Sequence, residues 1–171
     1  SMVAQRLAEI RARITAAAER AGRDPDSVTL VAVGKTHPPA VIAEAIAAGV
    51  TDVGENRVQE AAAKRELLPP ARWHLIGPLQ RNKAGTALAL FDVVHTCDRL
   101  ELVERLGLIL ERDWPQRRLR ILFEVNIGRE PQKSGVLPDE AEALLRAALA
   151  CPQLEVQGLM AIPPFDSDPE A

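Results

Sequence analysis

Tyrosine is absent from this 171-residue chain, and aromatic residues of all kinds make up only 3% of it. A tyrosine acting as general acid or base is thereby excluded within these residues. So is a ladder of aromatics interleaved with basic side chains, on which single-stranded bases could stack. Cysteine is equally sparse: Cys97 and Cys151 lie far apart and belong to no CxxC pair. They read as free thiols in a reducing cytoplasm rather than as a disulfide framework. Positive charge is not in excess either. A net charge of -3 and a pI near 5.7 leave no basic field to draw nucleic acid. No apolar run approaches the roughly 20 residues of a membrane span, and no signal-peptide pattern of charged start and apolar stretch occurs. Ser1 ahead of Met2 reads as a tag-cleavage scar rather than as part of the fold.

What is present is a globular profile, 47% hydrophobic and 26% charged, with enough residues for one domain and its core. The chain opens on AQRLAEIRARITAAAERAG, where Leu7, Ile10, Ile14 and Ala17 or Ala18 recur at helical spacing before Gly22 and RDPDS end the helix. TLVAVGKT follows, a β-branched apolar run of the kind expected of a strand buried on both faces. HPPAVIAEAIAAG then predicts a helix with prolines at its start and Gly49 as its stop. The alternation repeats through TDVGEN, RVQEAAAKRELL, RWHLIG, LQRNKAGTALAL and FDVVHTCD. Asp98 and Glu101 have the spacing of a capping box for RLELVERLGLILER, whose apolar face carries Leu102, Val103, Leu106, Ile109 and Leu110. LRILFEVNIG, PDEAEALLRAALA and LEVQGLMAI complete the series.

Six strand–helix alternations with short connections imply an α/β fold of parallel strands with helices packed around them. An open doubly wound sheet would carry a Gly-rich turn after its first strand, where this chain has GKTHPP. The expectation is therefore a (β/α) TIM-type barrel domain over residues 1–171, with about six of the eight strands a full barrel needs. Asp168-Pro169-Glu170 has the form of a helix start, so the chain reads as the amino-terminal part of a longer protein, truncated at its C-terminal end.

In such a barrel chemistry gathers at the carboxyl ends of the strands. Those positions here are Gly34-Lys35-Thr36, Gly54-Glu55-Asn56, His74 to Gly77, His95 to Asp98, Asn126 to Gly128 and Met160 to Ile162. Three readings compete. His74 and His95 with Glu55 or Asp98 could be metal ligands, but no HxH or HExxH spacing supports them, and a lone strand histidine more often satisfies a core hydrogen bond. GREPQKSG, residues 128–135, lacks the P-loop order and reads as a solvated loop that could border a ligand. Lys35 could form a Schiff base, since desolvation frees a lysine amine to attack a carbonyl. Against this stands a plain alternative, a first solvated residue past a buried strand.

VAVGKTHP, VGENRVQE, WHLIGPLQRNK, VNIGREPQKSG and QGLMAIP, in this order, resemble the successive signatures of the pyridoxal phosphate homeostasis proteins. The resemblance implies a barrel similar to the amino-terminal domain of alanine racemase. It implies pyridoxal 5'-phosphate held as a Schiff base on Lys35, Asn56 lining the cofactor, Met160 near the ring face, and His74 and Ile76 at the strand end beneath it. Members of that family continue with serine-rich and glycine-threonine segments near an arginine, which hold the phosphate and contact the pyridine nitrogen; these residues do not include them.

Two function classes follow. One is a non-catalytic, monomeric cytoplasmic carrier that binds pyridoxal phosphate and delivers it to apo-enzymes requiring it, with no nucleic-acid or membrane partner. The other is an amino-acid racemase or decarboxylase. Racemisation needs two bases on opposite faces of the substrate; Lys35 supplies one, and the related racemases draw the other from a tyrosine, which is missing here. The arginine that the resemblance places at the ring nitrogen would also weaken the electron sink. Both points favour the carrier. Leucine stripes such as Leu100 to Leu110 read as core-facing helix surfaces rather than as a partner site, and the charged stretch from Glu111 to Arg120 as a solvated loop.

Overall fold

The alternation of 3.6-residue and strand-like patterns is reproduced element by element in a computed structural model, which describes residues 1–165 and 168. In chain order the elements are α1 (Met2–Arg20), β1 (Val31–Val33), α2 (Pro39–Ala47), β2 (Asp52–Glu55), α3 (Val58–Arg65) and β3 (Arg72–Leu75). Then come α4 (Ala84–Leu90), β4 (Val93–Cys97), α5 (Leu100–Asp113), β5 (Leu119–Glu124), α6 (Ala141–Leu149) and β6 (Leu154–Met160). The strands form a six-stranded sheet in simple chain order, β1-β2-β3-β4-β5-β6, and the β1–β2, β4–β5 and β5–β6 pairs are parallel. Each helix after α1 connects two strands that are neighbours in the sheet, as the alternating sequence requires. The expected helix start at Asp168-Pro169-Glu170 falls largely outside the described residues. Among the described residues no helix is long and apolar enough to cross a membrane.

The chain divides into two compact units, Ser1–His74 and Leu75–Ala171. In the first, Leu7 and Ala18 of α1, Ile42 and Ala45 of α2, Val53 of β2, Val58 and Ala61 of α3, and Trp73 of β3 are buried. Two helical positions do less than their spacing promised: Ile10 is 41% exposed and Ile14 is half-buried. β1 departs further from expectation. It is three residues long and its burial runs from intermediate to exposed, because it stands at the end of the strand order with one neighbour only.

In the second unit the reading of α5 holds: Leu102, Val103, Leu106, Ile109 and Leu110 are all at most 2% exposed. Burying side chains of this size contributes roughly 1.5–3 kcal/mol each. Their counterparts on the sheet are Val94, Leu119, Ile121 and Phe123, also buried. The expected capping box is not formed. Arg99 occupies the cap position and makes no side-chain capping hydrogen bond. Asp98 instead accepts from Arg99 Nη1 at 2.8 Å and from the Gly135 N–H at 3.3 Å, so its carboxylate is already committed to the loop after β5.

Candidate functional site

Lys35 lies just past β1, on a turn whose backbone is fixed from both sides. The ladder runs one bond beyond the strand, the Gly34 N–H donating to Gly54 O at 2.9 Å. The chain then folds back, and the His37 N–H donates to Gly34 O at 3.2 Å with Lys35 and Thr36 at the corner. Thr36 has φ of 65°. A non-glycine residue in this left-handed region costs about 1–2 kcal/mol and persists only where its surroundings impose it. Pro38 and Pro39 follow at once and start α2. The Lys35 side chain is exposed and has no hydrogen-bond or ion-pair partner among the described residues.

Beneath the turn is a tight, charged junction. Gly34 is buried, and a Cβ there would sit 2.7 Å from Glu55 Oε1 and 2.7 Å from Ile42 Cδ1, so only glycine lets β1 approach α2 and β2 this closely. Glu55, the last residue of β2, is fully buried. Lys64 reaches back from the last turn of α3 and donates to Glu55 Oε1 at 3.0 Å and to Gly34 O at 2.7 Å. Burial pushes the Glu55 carboxyl above its ordinary range; the Lys64 contact opposes this and the neighbouring Glu60 adds to it. Glu55 Oε2 and Glu60 Oε2 are both buried without a hydrogen-bond donor.

Asn56 follows Glu55 and is half-buried. The β1–β2 register pairs Val33 with Gly54, which places Lys35 and Asn56 two residues past the last pair, at the same level on neighbouring strand ends. His74 is placed differently. It is buried in β3, and its Nε2 lies 2.7 Å from Asp52 Oδ2. Asp52 is the first residue of β2 and pairs with Val31, so the imidazole turns toward the strand starts and away from the ends that carry Lys35 and Asn56. Burial alone would raise the Asp52 carboxyl. The Thr51 hydroxyl, His74 and Arg72 together outweigh it and hold the group below its ordinary value.

In the second unit, Ile76 is half-buried immediately after β3, and Met160 is half-buried as the last residue of β6. The Val125 N–H donates to Met160 O at 2.9 Å, so Met160 is fixed against the end of β5. The loop over residues 128–135 is organised by Asn126. Its amide donates to Glu130 O at 2.7 Å and its Oδ1 accepts the Glu130 N–H at 3.1 Å. Gly135 closes that loop at φ 113°, where a Cβ would meet the Asn126 nitrogen at 2.6 Å. Glu124, Asn126, Lys133 and Ser134 border a cavity of about 240 Å³. Burial, with Asp98 nearby, pushes the Glu124 carboxyl upward.

Among the described residues no group of three or more His, Cys, Asp or Glu side chains is placed to hold a metal ion. The sequence reading missed Lys64 altogether. Its one signal was Glu60 four residues earlier, the pattern of an ordinary surface ion pair.

The alanine racemase N-terminal domain family matches residues 5–171. The pyridoxal phosphate homeostasis protein of Pseudomonas aeruginosa is 44% identical over 165 residues, covering 95% of this chain and 71% of its own. The structure of PipY from Synechococcus elongatus PCC7942 with pyridoxal phosphate bound superposes at a TM-score of 0.80 and 38% identity, covering 96% of this chain and 72% of that one. An alanine racemase from Clostridium difficile 630 shares the fold, with a TM-score of 0.66 at 11% identity over 78% of this chain and 36% of its own.

Proposed function

Because the chain belongs to the pyridoxal phosphate homeostasis proteins, within the alanine racemase N-terminal domain family, we propose that it binds pyridoxal 5'-phosphate through Lys35 and serves vitamin B6 homeostasis without catalytic turnover. One observation carries this reading: an exposed lysine amine, without a partner among the described residues, held at the carboxyl end of a parallel strand by a strained turn. The cofactor contributes an aldehyde. Lys35 would hold the cofactor through that aldehyde, its uncharged amine serving as the nucleophile. Asn56 supplies an amide at the same level as Lys35 on the neighbouring strand. The WHLIG and GLM motifs suggest Ile76 and Met160 as further cofactor residues, with His74 in a supporting role.

Storage rather than turnover is supported by the composition of these residues, which include no tyrosine to act as a second base opposite Lys35. The partners of this reading are the free cofactor and apo-enzymes that use it, with the protein acting as a monomer in the cytoplasm. An absorbance titration tests it. Pyridoxal phosphate should produce a new visible band in the parent and none in Lys35→Ala, and incubation of the loaded protein with L-alanine should yield no D-alanine. An equal band in Lys35→Ala would overturn the assignment of the lysine, and steady production of D-alanine would overturn the carrier reading.

A further inference from the structure

The buried Lys64–Glu55 pair has no part in the chemistry just described, yet it touches the backbone that presents Lys35. Gly34 O accepts two donors, the His37 N–H at 3.2 Å and the Lys64 ammonium at 2.7 Å. The first closes the Lys35 turn. The second ties that turn to α3. Lys64 is itself held by Glu55 Oε1 at 3.0 Å, and Glu55 is fully buried at the end of β2. The charged groups facing Glu55 among those described are Lys64 and Glu60, both on α3; Ile42 of α2 and Gly34, just past β1, complete its surroundings with apolar and backbone atoms.

An ion pair out of water is weak support for stability, because desolvation of both charges offsets their attraction. This one is also imperfectly satisfied, since Glu55 Oε2 lacks a donor. A neutral pair would fold as well. What a neutral pair would not supply is a cationic donor to the Gly34 carbonyl, at the point where the strained Thr36 conformation has to be maintained.

We propose that Lys64, oriented by Glu55, is a positioning residue for Lys35, clamping the Gly34 carbonyl so that the Lys35 turn stays closed. The proposal rests on the reading of Lys35 as the cofactor lysine, and its test separates the two. In the double variant Lys64→Met with Glu55→Gln, both charges of the pair are removed together and the introduced amide can donate to the Glu60 carboxylate that remains, so the fold is expected to survive. Native-state hydrogen exchange of the His37 amide reports the turn directly, and the Val125 amide, bonded to Met160 O in the other unit, controls for general loosening. The clamp predicts His37 exchange about tenfold faster in the double variant, Val125 exchange unchanged, and trapping of pyridoxal phosphate on Lys35 slowed by about the same factor. Unchanged His37 exchange overturns the clamp, whatever the trapping rate does. Faster His37 exchange with no Lys35 adduct even in the parent supports the clamp and overturns the cofactor reading beneath it.

Discussion

Replacing Gly34 by alanine probes the junction under Lys35 with a single methyl group. The added Cβ would lie 2.7 Å from Glu55 Oε1, 2.7 Å from Ile42 Cδ1 and 3.2 Å from Ile42 Cγ1, where ordinary contact begins at 3.4 Å. Something must therefore move by about 0.7 Å, the difference between 3.4 and 2.7 Å. Neither receiver is free to do so. Ile42 is 4% exposed in the core of α2, and Glu55 is pinned by Lys64. Gly34 is not among the glycines with positive φ, so the backbone accepts alanine and the penalty is steric alone. Overpacking of this kind costs typically 1–3 kcal/mol. For a chain of this length each kcal/mol lowers Tm by about 2–4 °C, giving an expected loss of roughly 2–12 °C by calorimetry. Gly22→Ala is the matched comparison: φ is 67° there, nothing lies within 4 Å, and backbone strain acts without a clash. If Gly34→Ala melts within about 1 °C of the parent, the tight junction described here is wrong.

Asp52→Asn removes the carboxylate that holds the buried His74 ring, and urea unfolding at pH 7 should show a loss of roughly 1.5–3 kcal/mol. The Asp52 carboxyl lies below its ordinary value in the folded chain, so its contribution is present above pH 3.8 and fades as pH falls through the folded value. The stability difference between parent and variant should therefore shrink in acid; a constant gap would contradict the pairing. Glu124 behaves in the opposite sense. Its folded pKa is raised above 4.5, so its contribution is fully present below that value and is lost as pH rises through the raised one. Glu124→Gln should raise the unfolding midpoint at pH 7 and leave it unchanged at pH 4; a lower midpoint at pH 7 would show that the charged form is needed there.

Patterns confined to one element were legible in the sequence. The apolar face of α5 needed only 3.6-residue spacing, and the strand order followed from short crossovers between parallel strands. The position of Lys35 just past a strand was legible for the same reason, as a lone charge ending an apolar run. What was hidden depended on partners far apart in the chain. Asp98 has the spacing of a cap but is committed to Gly135, 37 residues away. His74 stands near a strand end, yet its ring binds Asp52 at the start of the neighbouring strand. Lys64 has an i,i+4 carboxylate in Glu60, but bonds Gly34, 30 residues distant. β1 reads as doubly buried because apolar composition cannot say how many neighbours a strand will have.

The central claim is that Lys35, and no other amine, carries the cofactor. Borohydride reduction of the protein mixed with stoichiometric pyridoxal phosphate, followed by proteolysis and mass mapping, locates the bond directly. The account predicts a single modified peptide with the added mass on Lys35. Modification spread over other lysines with Lys35 untouched, or no modification at all, would contradict it.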